Sequence, residues 1–195
     1  LTEAQKEEFA RRILKETGRM QNLINDIIMI SRLEAGDIVF SREVLDLAEV
    51  VRNVAADAKA MAEQRGITMT CMAQQSILSA SHREMQELVG NLVQNAVRYS
   101  EEGGFVDIEL SAGQEGTVLK VHNTGSYIEP RYRERIFERF YRIDKGRSKA
   151  MGGTGLGLAI VKHVAGQYHA MVEVQSDPDT GTTFIVTFPP AAPLE

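Results

Sequence analysis

Apolar residues recur at three- and four-residue steps from residue 3 to residue 34, which predicts one long helix. Its apolar seam consists of Phe9, Ile13, Met20, Leu23, Ile27 and Ile30. Because a helix cannot bury such a seam alone, we expect a partner helix in the same chain or in another one. Gly36 is a typical helix stop, and residues 37–45 are expected to form a linker.

In residues 46–190 the apolar residues form shorter patterns, some with helical spacing and some alternating with polar residues, which predicts a separate domain. Helices are expected where a capping residue, a proline or a glycine-rich turn precedes apolar residues at helical spacing, over 46–66, 81–100, 130–139 and 155–168. Strands are expected where apolar and polar residues alternate, over 67–73, 76–80, 105–111, 117–123, 171–176 and 182–188. The fold class is therefore α+β: a two-layer α/β sandwich in which about three helices cover one face of a mixed sheet.

Charge and cysteine content narrow the functional classes. The chain of 195 residues has a net charge of −5, which argues against a general nucleic-acid binder. The single Cys71 excludes an internal disulfide, and we expect it to be buried as a small apolar residue. The segment 131–149 is different, with eight Arg and Lys against three Asp and Glu. One basic segment in an acidic chain indicates a small polyanion held at a defined place.

Two asparagines on the predicted helix 81–100 are candidate ligands of a cation. Asn91 and Asn95 are separated by one helical turn, and Arg98 lies on the same face. Side-chain carbonyl oxygens suit a hard cation such as Mg²⁺, which completes its coordination with waters and substrate phosphates. The alternative is that both amides are merely solvated.

The segment 152–158, with the sequence G-G-T-G-L-G-L, is a candidate phosphate-binding loop because it opens a helix. Orphan backbone N–H groups and the helix dipole favour an anion at such a start. No strand directly precedes it, so a dinucleotide fold is disfavoured, and the absence of G-K-[ST] order excludes a P-loop. A flexible hinge without a ligand is the alternative.

Asn123 ends a predicted strand in the segment V-H-N-T-G, and its amide could offer a donor and an acceptor to a flat heterocycle. By itself a turn-forming asparagine is the commoner explanation. The order of motifs along the chain is more specific. An N-x-x-x-N helix is followed by a strand ending in N-T-G, by R-I-F-E-R-F-Y-R at 135–142, and by the glycine segment.

This order resembles the catalytic half of bacterial sensor histidine kinases, within the wider group of gyrase, heat-shock chaperone and mismatch-repair ATPases. Residues 91–99 are similar to the N box, 123–128 to the first G box, 135–142 to the F box and 152–158 to the second G box. Residues 1–36 resemble the second helix of a dimerisation and histidine-phosphotransfer hairpin. The resemblance implies an ATP-binding domain of the Bergerat type over 46–190.

The resemblance also implies roles for individual residues. Asn95 would bind Mg²⁺ with help from Asn91, Arg98 would approach the phosphates, and Tyr99 would flank the adenine. Arg142 would be one of the lid residues near phosphate, and Asn123 would take the place of the aspartate that reads the adenine amino group. The other positions matched to nucleotide-binding motifs are Gly125, Ile128, Gly153, Thr154, Gly155, Leu156, Gly157, Leu158 and Thr182.

Residues in two of these motifs bear on activity. ATP-hydrolysing relatives have a glutamate where this chain has Asn91, and an amide cannot act as a general base; Glu87 lies a further turn away. This favours a kinase over an ATPase. Asn123 and Tyr127 replace an aspartate and a glycine of the first G box, so nucleotide binding is expected to be retained but weaker, and a degenerate binding module is the runner-up.

No histidine of the chain has the H-E-L-R-T-P-like context of a phosphoacceptor, so we assign no catalytic residue. We expect that the first helix of the hairpin is missing, and that this chain binds ATP without autophosphorylating. The implied partners are the receiver domain of a response regulator and a second copy of the chain, joined through the helical hairpin; no nucleic acid is expected. The resemblance implies the cytoplasmic portion of a membrane-anchored protein, with any membrane contact made only by upstream segments.

Overall fold

The computed structural model describes residues 2–35, 41–114, 116–143 and 154–190. The helices are α1 (Glu3–Ala35), α2 (Leu47–Glu63), α3 (His82–Tyr99) and α4 (Gly157–Gln167), with 3-10 turns at Pro130–Tyr132 and Arg135–Phe137. The strands are β1 (Glu43–Asp46), β2 (Thr68–Ala73), β3 (Ile77–Ala80), β4 (Phe105–Gly113), β5 (Gly116–Asn123), β6 (Met171–Asp177) and β7 (Gly181–Phe188).

Five strands form a mixed sheet in the order β2-β4-β5-β7-β6, in which β2 is parallel to β4 and the other neighbours are antiparallel. The alternation along β4 separates the two faces. Val106, Ile108 and Leu110 are buried, whereas Asp107 and Glu109 are exposed on the opposite face. Since a strand turns successive side chains to opposite faces, the apolar set lies under the helices and the charged set faces solvent.

Helix α3 lies at the centre of the helical layer, where it contacts both α2 and α4. Its residues Leu88, Leu92 and Ala96 are fully buried in the core between the helices and the sheet. The apolar face of α3 is thereby fixed to the sheet, and the face that carries the two asparagines is turned away from it. The predicted α+β sandwich is confirmed.

Some predicted boundaries and caps are wrong. The linker was predicted to extend to residue 45, but residues 43–46 form β1, which pairs antiparallel with β3 from Glu43–Ala80 to Asp46–Ile77. The expected helix over 130–139 is two separate 3-10 turns, and Cys71 is exposed rather than buried. Ser81 makes no side-chain capping bond at the start of α3. These features depend on pairing partners that local patterns do not reveal.

The predicted long helix is confirmed as α1, and much of its apolar seam is exposed in the described chain. Phe9, Ile13, Met20 and Ile27 are all at least 46% exposed. No helix in the described part of the chain combines the length and the apolar character needed to cross a membrane. An apolar stripe of this kind is typical of a helix that packs against a further helix.

Candidate functional site

A cavity of about 1230 Å³ lies beside α3 and is closed by the end of β5 and the start of α4. The structure brings most of the predicted site residues to its wall: Asn91, Asn95, Arg98, Tyr99, Asn123, Ile128, Arg142, Thr154, Gly155, Gly157, Leu158 and Thr182. Gly125 and Leu156 do not line it, and Gly153 lies outside the described residues. Residues that are far apart in sequence therefore meet around one opening.

Helix α3 supplies the first wall through Asn91 and Asn95. The Nδ2 of Asn91 donates to the backbone oxygen of Glu87 over 2.8 Å, which leaves its Oδ1 as the free end of the amide. This oxygen faces the first residue of α4, since a Cβ added to Gly157 would lie only 2.5 Å from it. Glycine at position 157 thus lets α4 approach the asparagine closely.

Arg65 holds the C-terminal end of α3, where Arg98 and Tyr99 lie. Its guanidinium donates to the backbone oxygen atoms of Val97, of Arg98 (2.8 Å) and of Ser100 (3.1 Å). The last carbonyls of a helix lack intrahelical partners, and a cation there also interacts favourably with the helix dipole. The sequence analysis missed this residue because it lies outside every motif.

The end of β5 and the following turn form the second wall. Asn123 is only 2% exposed, and its Nδ2 donates to the backbone oxygen of Thr124 over 3.1 Å. Thr182 donates from Oγ1 to the oxygen of Ser126 over 2.7 Å, which ties β7 to the turn. The amide donor of Asn123 is therefore engaged within the protein, whereas its oxygen is left as an acceptor.

Gly125 allows this turn to form because of its backbone conformation. Its φ is +108°, and an added Cβ would lie 2.7 Å from the backbone nitrogen of Glu101. A side chain there would separate the turn from the segment that follows α3, where Ser100 forms a β-bridge with Gly125. Gly125 thus shapes the wall from behind rather than lining it.

The glycine segment reaches the cavity at the start of α4. Gly155 has a φ of +78° and accepts a hydrogen bond at its backbone oxygen from the nitrogen of Phe140 over 2.9 Å. Leu156 is fully buried, and its backbone nitrogen donates to Oγ1 of Thr154 over 3.3 Å. Leu156 therefore anchors the segment, while its neighbours face the opening.

Arg142 contributes a guanidinium to the wall of the cavity. Its Nε and Nη2 are buried, and neither has a hydrogen-bond partner within the described ranges. A buried guanidinium without an acceptor is costly, so an anion is the expected complement. In the same segment Arg135 lies over the Tyr141 ring at 4.4 Å from its centroid, and Tyr141 lines the cavity beside Arg142.

The cavity extends further than the motifs indicate. Four residues of α2 also line it: Val54, Asp57, Ala58 and Met61. Glu87 and Tyr127 do so as well. The pattern of α2 predicts a packed helix but contains nothing that indicates a place at the site, because this place is created by its contact with α3. Within the described residues, no group of three or more His, Cys, Asp and Glu could hold a metal.

Comparisons with known proteins agree with this arrangement. The family described as histidine kinase-, DNA gyrase B-, and HSP90-like ATPases matches residues 80–192, more than half of the chain. The chain is 37% identical over 182 residues to the phosphate regulon sensor protein PhoR of Pseudomonas aeruginosa, covering 93% of this chain and 41% of PhoR. It is 34% identical over 184 residues to the sensor-like histidine kinase SenX3 of Mycolicibacterium smegmatis, covering 93% of this chain and 47% of SenX3. The chain thus spans less than half the length of these curated relatives.

Solved structures show the same likeness. Full-length ShkA, crystallised in complex with AMPPNP, superposes with a TM-score of 0.79 at 29% identity, covering all of this chain and 41% of ShkA. The mycobacterial sensor histidine kinase MprB superposes with a TM-score of 0.67 at 25% identity, covering 76% of this chain and 97% of that one. The chain therefore belongs to the histidine kinase-, DNA gyrase B- and HSP90-like ATPase family, in which it is the ATP-binding catalytic part of a sensor histidine kinase.

Proposed function

We propose that the cavity binds ATP with Mg²⁺ and presents the γ-phosphoryl group to a histidine outside this chain, for onward transfer to an aspartate of a response regulator. The proposal rests on Arg142, whose buried Nε and Nη2 atoms have no hydrogen-bond partner among the described residues. Their charge needs an anion, and they line the same cavity as the glycine-rich start of α4. A triphosphate between these two features would satisfy both.

Asn95 and Asn91 are the proposed Mg²⁺ ligands. Both offer neutral amide oxygens, and that of Asn91 is left free because its Nδ2 is bonded to Glu87. Such a donor set fits Mg²⁺, which takes few protein ligands and fills its octahedron with waters and phosphate oxygens. When bound, the ion neutralises charge on the phosphate oxygens.

The reaction class follows from the residue at position 91. Transfer to an imidazole nitrogen requires no removal of a hydroxyl proton, because the nitrogen lone pair forms the new bond to the γ-phosphorus. The proton on the other ring nitrogen is then released to water. The bond from that phosphorus to the bridging oxygen breaks, and its electron pair leaves with ADP. Asn91 and Arg142 can position and neutralise the phosphates in such a transfer, which suffices for phosphoryl transfer by positioning and electrostatics.

Asn123 is proposed to select adenine. With Nδ2 engaged by Thr124, its Oδ1 is the group available to accept a hydrogen bond from the adenine amino group. Guanine presents a carbonyl oxygen at the corresponding edge, which an acceptor repels. A neutral amide makes a weaker bond than a carboxylate would, so selectivity for adenine is retained but reduced.

Titration with the unhydrolysable analogue AMPPNP, with and without Mg²⁺, tests the site. Asn95→Ala is expected to abolish the Mg²⁺-dependent part of the binding, and Arg142→Ala is expected to weaken binding at either Mg²⁺ level. Asn53→Ala and Arg131→Ala are matched controls, since both residues are exposed and neither lines the cavity. Binding by both test variants at wild-type strength would refute the assignment of these residues.

Two alternative functions predict different results when nucleotide binding and phosphate release are measured on the same protein. A chain that binds no nucleotide would be a degenerate module, as the replacements at Asn123 and Tyr127 could produce. Glu87 lines the cavity, so slow ATP hydrolysis is the second candidate. Steady release of phosphate that is lost in Glu87→Gln would favour the ATPase.

The organisation of the whole protein is also proposed from the resemblance. Residues 1–36 would be the second helix of the dimerisation hairpin, 37–45 the linker, and 46–190 the catalytic domain, whose first strand in the structure begins earlier, at Glu43. The exposed seam of α1 supports a homodimer formed through the hairpin. We further propose that the chain has the receiver domain of a response regulator as its partner. A membrane anchor would lie upstream of this cytoplasmic catalytic part.

A further inference from the structure

A buried polar cluster joins the first turn of α3 to the residue that follows α4. Tyr168, which directly follows α4, donates from its hydroxyl to Oε2 of Glu84, a carboxylate that is only 4% exposed. The same hydroxyl oxygen accepts a hydrogen bond from the backbone nitrogen of Ser81 over 2.9 Å. One side chain therefore satisfies both the N-cap backbone of α3 and the buried acid in its first turn, where the Ser81 side chain provides no cap.

Arg42 extends this cluster to the segment that follows α1. Its guanidinium lies over the Tyr168 ring, 4.8 Å from the centroid, and its Nη2 donates to the backbone oxygen of Gln167 over 3.0 Å. The chain entering β1 is thus attached to the last turn of α4. Stacking and a charge-assisted hydrogen bond both orient the ring.

The two helices meet at two places. Glu84 contacts Tyr168 at one end, while Asn91 faces Gly157 at the other, so α3 and α4 run antiparallel along this contact. Asn91 and Gly157 line the cavity, whereas Glu84 and Tyr168 do not. A packed helix moves as a unit, so a change at one end alters the separation of the helices at the other.

We propose that Tyr168 is a positioning residue for nucleotide binding, which sets the spacing of α3 and α4 at the cavity through its bonds to Glu84 and Ser81, with Arg42 holding its ring. The proposal rests on the proposed function of the cavity as a nucleotide site. Burial and the bond to Glu84 raise the pKa of Tyr168 to about 12, so the hydroxyl keeps the proton that it donates at neutral pH.

The test compares three variants by AMPPNP titration in the presence of Mg²⁺. Tyr168→Phe removes only the hydroxyl, and we expect the dissociation constant to rise about threefold to tenfold, the range typical of residues that touch no ligand. Glu84→Gln keeps an acceptor oxygen and is expected to stay within about twofold of wild type. Arg42→Ala keeps the hydroxyl network but frees the ring, so a smaller rise of about twofold to threefold is expected.

A reciprocal measurement separates positioning from simple stabilisation. If Tyr168 influences nucleotide binding, bound nucleotide is expected in turn to alter the surroundings of the Tyr168 ring. We expect the ring NMR signals of Tyr168 to shift when AMPPNP is added, although the residue does not line the cavity. Thermal unfolding without nucleotide reports how much each variant loses in stability alone.

Each result has one meaning. A folded Tyr168→Phe variant with a lower melting temperature but a wild-type dissociation constant would overturn the proposal, and so would a ring signal that does not respond to nucleotide. Loss of affinity in Glu84→Gln equal to that in Tyr168→Phe would also overturn it. Failure of the wild-type chain to bind AMPPNP would refute the nucleotide site itself, and with it this inference.

Discussion

Replacement of Gly157 by alanine tests how closely α4 must approach the asparagine wall of the site. An added Cβ would lie 2.5 Å from Oδ1 of Asn91 and 3.3 Å from its Cγ, and no other side chain blocks it within 3.4 Å. Close carbon–oxygen contacts in proteins are about 3.3 Å or longer, so the oxygen must retreat by about 0.8 Å. The clash is with the end of a side chain, so Asn91 gives way and the backbone of α4 stays in place.

The cost to stability is small by this reasoning. Moving the Asn91 amide would weaken or break its hydrogen bond to Glu87, which stabilises the fold by about 0.5–1.5 kcal/mol. Alanine in a helix is favoured over glycine by up to about 1 kcal/mol, and less in the first turn. The two effects nearly cancel, so the melting temperature is expected to change by no more than about 4 °C.

Nucleotide affinity is expected to respond far more than stability. A displacement of about 1 Å in a positioned group can cost up to about 100-fold, and we expect AMPPNP to bind about tenfold more weakly in the presence of Mg²⁺. Without Mg²⁺ the loss is expected to be smaller, because the role proposed for the Asn91 oxygen is to bind the ion. Isothermal titration at both Mg²⁺ levels measures this difference.

Gly166→Ala is the matched control for Gly157→Ala. It makes the same substitution in the same helix at a position where an added Cβ meets nothing within 4 Å. We expect wild-type affinity and a slightly higher melting temperature. Wild-type affinity in Gly157→Ala, or an equal loss in both variants, would refute the assignment of Asn91 to the metal-nucleotide site.

Three further predictions follow from other contacts of the site. Arg65→Ala leaves the last carbonyls of α3 without their donor and is expected to lower the free energy of unfolding by about 1–2 kcal/mol in urea titrations; an unchanged value would show that water replaces the guanidinium fully. Asn123→Asp loses the donor to Thr124 but supplies a charged acceptor, so we expect lower stability and a larger ratio of guanine- to adenine-nucleotide dissociation constants. Equal ratios in both proteins would contradict the proposed role of this residue. The pKa of Tyr168 is raised to about 12 from an ordinary value near 10, so its contribution to stability is complete below about pH 10 and is lost as the pH rises to 12. Alkaline unfolding of wild type against Tyr168→Phe measures this, and identical curves would contradict it.

The candidate site shows which of its features local sequence patterns can predict. The spacing of Asn91 and Asn95 predicted a shared helix face, and the structure confirms that both line the cavity. Gly125 was matched to the first G box but lies behind the wall, because its positive φ serves the contact with Glu101. A motif specifies which backbone conformation a position needs, but it does not distinguish a ligand contact from a packing contact.

The sequence by itself determined the helices α1–α4 and the strands β2–β7, because the period of apolar residues depends only on local backbone geometry. It also determined the family, through the order and spacing of the asparagine and glycine motifs. The tertiary structure alone decided that β1 pairs with β3, that Arg65 closes the end of α3, and that Tyr168 joins α3, α4 and Arg42. All of these contacts join residues that are at least 31 positions apart, and a hydrogen bond between distant groups leaves no periodic trace in the sequence. Only the packing of α3 against its neighbours brings such groups within reach of one another.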